Sequence, residues 1–464
     1  MADTSTVDRR ILAASILGSG AVFLESTVVN VALPSIGRDF GLGIDGLQWV
    51  INAYLLTLGS LILLGGALGD RYPRREVFRY GALAFAVTSG LCALAPTVEV
   101  LAVLRMLQGI AGALLVPNSL ALLEASFAGE SKGAAIGKWS AGSAASTAIG
   151  PLAGGAIVAA ASWRWVFALV VPFALIAAFT LPRVQASPSA TRTSRGVDYL
   201  GALLVTAGLG ALVAALIGGP VVGFRDARVI AGMATGCVLL TAFLVVESTV
   251  ANPLVPLGVF RARQFLGANL TTFLVYGALG VVLFLLILML QNVVGYTALQ
   301  AGASLLPVNV LLFFLSSPAG RLAARIGPRV PMAAGSVIAG AGLALLSRVH
   351  SGVSYVGAVL PGVIVFGFGL SSLVAPLTTS VLESLGVERA GLASGVNNAV
   401  ARVAGLIATA AIPLAAGFGG LRELAGVPFE QGFARAMWIC AGLCVAGGVV
   451  TWFTIRGREP SGAA

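Results

Sequence analysis

The chain has 464 residues, of which 58% are hydrophobic and only 10% charged, and its mean hydropathy is +0.98. A soluble globular domain carries about 25% charged residues, so this composition excludes a water-soluble protein. The net charge of +10 does not point to nucleic acid, because the arginines fall in short clusters between apolar runs rather than along one face.

Apolar stretches of about 20 residues, each able to cross a bilayer core about 30 Å thick, recur along the chain. They are read at 11–33, 48–67, 78–95, 100–123, 134–160, 165–182, 199–218, 228–248, 266–289, 302–319, 331–348, 355–382, 394–416 and 434–455. The first run is too long for the apolar core of a signal peptide. The predicted fold class is an all-α polytopic membrane protein with fourteen transmembrane helices, which puts both termini on one side. A cytoplasmic N-terminus collects Arg9, Arg10, Arg71, Arg74, Arg75, Arg79, Lys132, Lys138, Arg183, Arg192, Arg195, Arg261, Arg263, Arg321, Arg325, Arg329, Arg389, Arg456 and Arg458 inside. Only Arg38, Arg164, Arg225, Arg228, Arg348, Arg422 and Arg435 then face outward. The positive-inside rule favours this orientation.

Cys92, Cys237, Cys440 and Cys444 all fall in apolar runs, at spacings that match no metal site or disulfide framework. They are expected to be packing residues. His350, the only histidine, is expected to be an ordinary loop residue.

The chain repeats itself. Gly66-Ala67-Leu68-Gly69-Asp70-Arg71-Tyr72-Pro73-Arg74-Arg75 returns as Gly320-Arg321-Leu322-Ala323-Ala324-Arg325-Ile326-Gly327-Pro328-Arg329, 254 residues later. A plain six-plus-six duplication would give an offset of about 180, so roughly 70 residues are in excess. An extra helix pair near 199–248, preceded by the polar linker 187–194, accounts for them. The expected domains are a six-helix bundle at 1–182, a linker and extra pair at 183–264, and a second six-helix bundle at 265–464.

The first copy resembles the pattern G-x-L-x-D-R-x-G-R-[KR] of the major facilitator superfamily of secondary transporters. Pro73 stands where that family usually has Gly, and the second copy lacks the Asp. Fourteen spans with a central pair resemble the larger drug:proton antiporter branch of multidrug exporters, from about residue 11 to 455. The resemblance implies alternating access between two bundles. Gly66, Asp70, Arg71, Arg74 and Arg75 would then form a cytoplasmic latch.

Leu24-Glu25-Ser26-Thr27-Val28-Val29-Asn30-Val31-Ala32-Leu33-Pro34 resembles that branch's first-span signature, with Glu25 in place of Asp. A carboxylate at membrane depth is a functional candidate by default; the bland alternative is a static ion pair or a packing hydrogen bond. In the fourth span, Arg105, Gln108 and Gly112 share one helix face and match the family's L-x-x-x-R-x-x-Q-G motif. A buried Arg needs a partner, and Glu25 is a candidate, whereas Glu124 is too far along its helix. The resemblance places Glu25 and Arg105 in proton coupling.

In the fifth span Gly137, Ser146, Gly150, Pro151, Gly154 and Gly155 resemble G-x8-G-x3-G-P-x2-G-G, with Ser146 at the second Gly. That motif implies export, and Gly150, Pro151, Gly154 and Gly155 are expected to serve gating. Gly391 to Asn398 resembles the start of the branch's thirteenth span. Glu25, Asn30, Asn52, Tyr54, Gln108, Asn309, Phe313, Asn397 and Asn398 are expected to contact substrate, although each polar one serves equally well as glue between helices.

The function expected is proton-coupled export of lipophilic or cationic drugs and related small molecules. The alternative is a dedicated exporter of a lipid or a secreted amphiphilic metabolite. No cofactor or metal is expected, since the proton gradient supplies the energy. The expected partners are an amphiphilic small molecule, protons and membrane lipids, with no nucleic acid, for a monomer in a bacterial plasma membrane with both termini cytoplasmic. An enzyme is not expected, because the spans lack paired catalytic residues. A sensor would normally carry a soluble output domain, and none is read here.

Overall fold

Across a bilayer a backbone satisfies its own polar groups either as a helix or as a closed barrel. The computed structural model describes residues 4–181, 196–419, 421 and 424–457, and it is built of α-helices. The linker 187–194 and Arg183, Arg192, Arg195, Arg422 and Arg458 lie outside the described residues.

The first eight helices are α1 Thr4–Phe40, α2 Ile44–Arg71, α3 Arg74–Ala93, α4 Val98–Ser126, α5 Gly129–Ala160, α6 Arg164–Thr180, α7 Tyr199–Val222 and α8 Ala227–Thr249. After a 3-10 turn at Leu257–Arg261 come α9 Arg263–Asn292, a short α10 Ala298–Ala303, α11 Leu306–Ile326, α12 Arg329–Leu346, α13 Leu360–Glu383, α14 Ala390–Ala415 and α15 Gly426–Thr454. Among the described residues, twelve helical segments are long and apolar enough to cross a membrane, with α10 and α11 forming one of them. Two expected spans fall outside the twelve: α6 has 17 residues, and α3 opens on Arg74, Arg75 and Glu76. The first helix continues to Phe40 with Pro34 inside it, beyond the end near 33 that the apolar run suggested.

The chain divides into two compact units. Residues 1–219 and 223–255 form the first; residues 220–222 and 256–464 form the second. In the first unit α1 packs on α4, α5 and α6, α2 on α4, and α3 on α4 and α6. In the second unit α9 packs on α14 and α15, α11 on α13, and α12 on α13 and α15. Matching α9 and α11–α15 to α1–α6 in order turns each of these second-unit pairings into one found in the first. The repeat seen in the loops thus extends to the packing. The loop copies also sit alike: Tyr72 and Pro73 join α2 to α3, and Gly327 and Pro328 join α11 to α12. Gly327 has φ 88, which its missing side chain allows.

The extra pair α7–α8 belongs to the first unit apart from the last residues of α7. Thr206 donates to Ser60 at 2.9 Å, which ties α7 to α2. Small residues bring α7 and α8 together: a methyl on Gly236 would lie 3.0 Å from the Leu212 nitrogen.

Candidate functional site

The first unit holds a buried polar cluster among apolar helices. Glu25 on α1 and Arg105 on α4 are 0% and 1% exposed. Arg105 Nη1 donates to Glu25 Oε1 at 2.7 Å. A charge taken out of water needs a partner and further hydrogen bonds, and both are present. Arg105 Nε donates to the Val50 carbonyl of α2 at 3.2 Å, and Nη1 also donates to Gln108 Oε1 one turn along. Gln108 Nε2 in turn donates to Ser89 Oγ of α3 at 2.6 Å.

Two aromatic faces cover the guanidinium. Its central carbon lies 4.3 Å from the Tyr54 ring centre and 5.6 Å from that of Phe167. The Tyr54 hydroxyl donates to the Val22 carbonyl of α1 at 3.3 Å. Five helices, α1, α2, α3, α4 and α6, therefore meet at Arg105. One atom is left over: Glu25 Oε2 is buried and accepts no hydrogen bond among the described residues. A proton can be added there without displacing any donor among the described residues.

Helix α5 backs α1 at this level. Thr27 Oγ1 donates to the Thr147 carbonyl at 3.2 Å. A methyl on Gly150 would collide with Thr27 Oγ1, and one on Gly154 would lie 2.6 Å from Val28 Cγ2. Pro151 stands within α5 between them. Gly150 and Gly154 therefore set how closely α5 approaches the helix that carries Glu25.

The other sequence-predicted residues scatter. Asn52, Tyr54 and Gln108 are fully buried in the first unit, and Tyr54 and Gln108 are components of the Arg105 cluster. Asn30 donates to the Ser26 carbonyl of its own helix at 3.1 Å. Asp70 pairs with Arg74 at 2.7 Å, Arg74 also donates to the Ala121 carbonyl of α4 at 3.2 Å, and Arg75 pairs with Glu76 at 3.1 Å. Gly66 and Arg71 share that end of α2, with Arg71 5.8 Å from the Tyr72 ring. His350 is exposed, with Nδ1 2.7 Å from the Ser351 carbonyl.

In the second unit Asn397 donates to Thr272 Oγ1 at 2.7 Å and to Asn269 Oδ1 at 3.2 Å, joining α14 to α9. Asn397 and Asn398 line a cavity of about 130 Å³ with Tyr276, Thr378 and Ser394. Asn309 is half-buried on α11, and Phe313 is 77% exposed. Sequence reasoning missed Ser89, Phe167 and the Val50 carbonyl, because nothing about a Ser, a Phe or a backbone oxygen marks it as a partner of a distant Arg. It also missed Tyr276.

A model of the Major Facilitator Superfamily matches residues 15–409. The chain belongs to the Major Facilitator Superfamily. This facilitator is 36% identical to the multidrug resistance protein Stp of Mycobacterium tuberculosis, over 84% of this chain and 72% of that protein. It is 32% identical to the tetracenomycin C resistance and export protein of Streptomyces glaucescens, over 86% of this chain and 74% of the other. It is 36% identical to the puromycin resistance protein pur8 of Streptomyces alboniger, over 86% and 79%. The inward open xylose transporter XylE of E. coli shares its fold with a TM-score of 0.66 over 98% of both chains, at 14% identity. As a facilitator the chain is a multi-pass membrane transporter and not an enzyme.

Proposed function

We propose that this facilitator is a proton-coupled antiporter that exports lipophilic or cationic small molecules from a bacterial cell. In this reading α3 and α6 also cross the membrane, giving fourteen spans arranged as six, two and six, with both termini cytoplasmic. The two six-helix sets alternate access, and the loop around Asp70 and Arg74 latches the inner gate. The drugs named for its relatives, puromycin and tetracenomycin C among them, support the substrate class.

The observation that carries the coupling is the Glu25–Arg105 pair with its unpartnered Glu25 Oε2. A proton arriving at Oε2 neutralises Glu25 and weakens its hold on Arg105. Arg105 stays in place, because Val50, Gln108 and the Tyr54 ring hold it independently. Losing the proton restores the pair and draws α1 back to α4. A proton moving inward through 100 mV supplies about 2.3 kcal/mol, enough to bias two packings of a helix pair that differ by a similar amount. The Asn397–Asn398 cavity is suited to a polar group on the substrate, with Asn309 and Phe313 as further contacts.

The test is transport in proteoliposomes under an imposed pH gradient, with puromycin and a lipophilic cation as substrates. Wild type should accumulate both only while the gradient lasts, and Glu25→Gln should accumulate neither. Gradient-driven accumulation by Glu25→Gln would move the proton carrier elsewhere. Movement of lipid, with neither drug transported, would favour the dedicated exporter.

A further inference from the structure

The extra helix pair carries a second buried acidic site that the transport reading does not use. Asp198 precedes α7, and Glu247 lies in the last turn of α8. They are 7% and 3% exposed. One oxygen of each is occupied by backbone: Asp198 Oδ1 accepts from Gly201 N at 2.8 Å, and Glu247 Oε2 accepts from Val255 N at 2.9 Å. The remaining oxygens, Asp198 Oδ2 and Glu247 Oε1, have no partner among the described residues.

Those two orphaned oxygens face the same small space. A methyl on Gly201 would collide with Asp198 Oδ2 and lie 3.0 Å from Glu247 Oε1. Both carboxyl groups therefore border the backbone of Gly201. Two carboxylates are acceptors only, so nothing can bond them until one gains a hydrogen. Like charges sharing a site disfavour double ionisation, and one proton removes the conflict.

Among the described residues, the neighbouring charged groups are otherwise engaged. Helix α2 is tied to α7 through Ser60 and Thr206, and the charged groups at its C-terminal end are Asp70 and Arg71. Asp70 already pairs with Arg74, and Arg71 lies against Tyr72. The segment 250–255 contains no titratable side chain. Tyr199, next to Asp198, is half exposed. A calcium ion would want six to eight oxygens, and among the described residues no third acid, His or Cys joins the pair.

We propose that Asp198 and Glu247 bind one proton between them, forming a protonation site in the extra helix pair that is separate from Glu25. With the proton present, the start of α7 and the end of α8 are joined through the two side chains. Without it the carboxylates repel and that junction loosens. The site gives α7 and α8 a chemical role, as a sensor of pH on their own side of the membrane. It does not depend on how substrate export is coupled.

The test uses the full-length protein in lipid with Asp198→Asn and Glu247→Gln. Asn keeps the helix cap, and Gln keeps the acceptor for Val255, so both variants should fold. Infrared difference spectra between acid and alkaline buffer read the C=O stretch of a protonated carboxyl group. One such signal should vanish in both variants and persist in Glu25→Gln. Thermal stability provides a second reading. A native state holding a proton that the unfolded chain releases loses stability as pH rises. Wild type should lose up to tenfold in its folding constant per pH unit while the pair stays protonated, and each variant should lose less. A signal unchanged in either variant would overturn the proposal. So would binding of sodium, magnesium or calcium by wild type that both variants abolish.

Discussion

Arg105 Nη1 stands 2.7 Å from Glu25 Oε1, and this ion pair links α4 to α1 where both side chains are shut away from solvent. The two partners are not equally supported. Arg105 has Val50, Gln108 and two aromatic rings as well as Glu25. Glu25 has one hydrogen-bonded oxygen and one bare one. Removing either partner should therefore have different consequences.

Arg105→Ala strands a buried carboxylate, and breaking a buried pair in this way costs about 3–5 kcal/mol. Arg105→Lys should rescue little, because a point charge cannot reach Glu25, the Val50 carbonyl and Gln108 together. The double variant Glu25→Gln/Arg105→Met should be more stable than Arg105→Ala, since no unpaired charge remains. Thermal midpoints of the purified proteins decide the matter. A double variant no better than Arg105→Ala would mean that packing, not charge, holds this site.

Glu25→Gln keeps the shape of the side chain and removes its proton chemistry. Gradient-driven export should disappear, and binding of neutral substrates should survive. Cationic substrates should bind more weakly, because the counter-charge is gone. Glu25→Asp should retain transport, since the family signature carries Asp there. Binding titrations alongside vesicle transport separate the two effects, and loss of both in Glu25→Gln would show that Glu25 is structural.

Asp70 and Arg74 form an exposed pair, 58% and 35% accessible at their side chains. Such pairs are worth about 1 kcal/mol at most, so Asp70→Asn should leave the thermal midpoint almost unchanged. Transport should fall nonetheless if the loop is a latch. Wild-type rates in Asp70→Asn vesicles would sink that role.

Much of this architecture is legible in the sequence. Apolar length alone located the helices, and the Gly66–Arg75 repeat announced the duplication that the packing of α9 and α11–α15 repeats. Glu25 and Arg105 stood out because charge at membrane depth is expensive. The partners of Arg105 did not, because Ser89, Phe167 and the Val50 carbonyl acquire meaning only when α3, α6 and α2 are brought to α4. Tyr54 and Gln108 looked like substrate ligands, yet they lie buried in the Arg105 cluster. Boundaries slipped where apolar content and helix differ, as at Pro34, which ends the hydrophobic run but not α1. Glu247 was hidden for the opposite reason: at a span's edge it reads as a solvated end, and only folding buries it against Asp198.

Orientation rests on the arginine clusters and is open to direct test. In a Cys237→Ser background, which removes the exposed cysteine, Glu76→Cys should resist an impermeant thiol reagent in intact cells. Asp226→Cys, in the turn between α7 and α8 beside Arg225 and Arg228, should react readily. The ion pair at 3.0 Å between Asp226 and Arg228, and the cap that Asp226 places on α8, are exposed. The exchange should therefore be tolerated. The reverse labelling pattern would invert the topology.

The glycines of α5 differ in what surrounds them, although the motif treats them alike. Gly137 has nothing within 4 Å of where a Cβ would stand, whereas Gly154 would place one 2.6 Å from Val28 Cγ2 and 2.9 Å from the Val28 carbonyl oxygen. In a helix interior Ala is favoured over Gly by about 1 kcal/mol, so Gly137→Ala should be neutral or slightly stabilising. At Gly154 that gain is opposed by overpacking of about 1–3 kcal/mol, because a side chain can rotate away but a backbone carbonyl cannot. Gly154→Ala should lower the thermal midpoint, push α5 off α1 and reduce transport; Gly150→Ala, aimed at Thr27, should behave likewise. Displacement of α1 would also move Glu25 relative to Arg105, so the same variants should alter the pH dependence of export while Gly137→Ala leaves it unchanged. Equal effects at 137 and 154 would show that the motif acts through helix flexibility and not through the contact between α5 and α1.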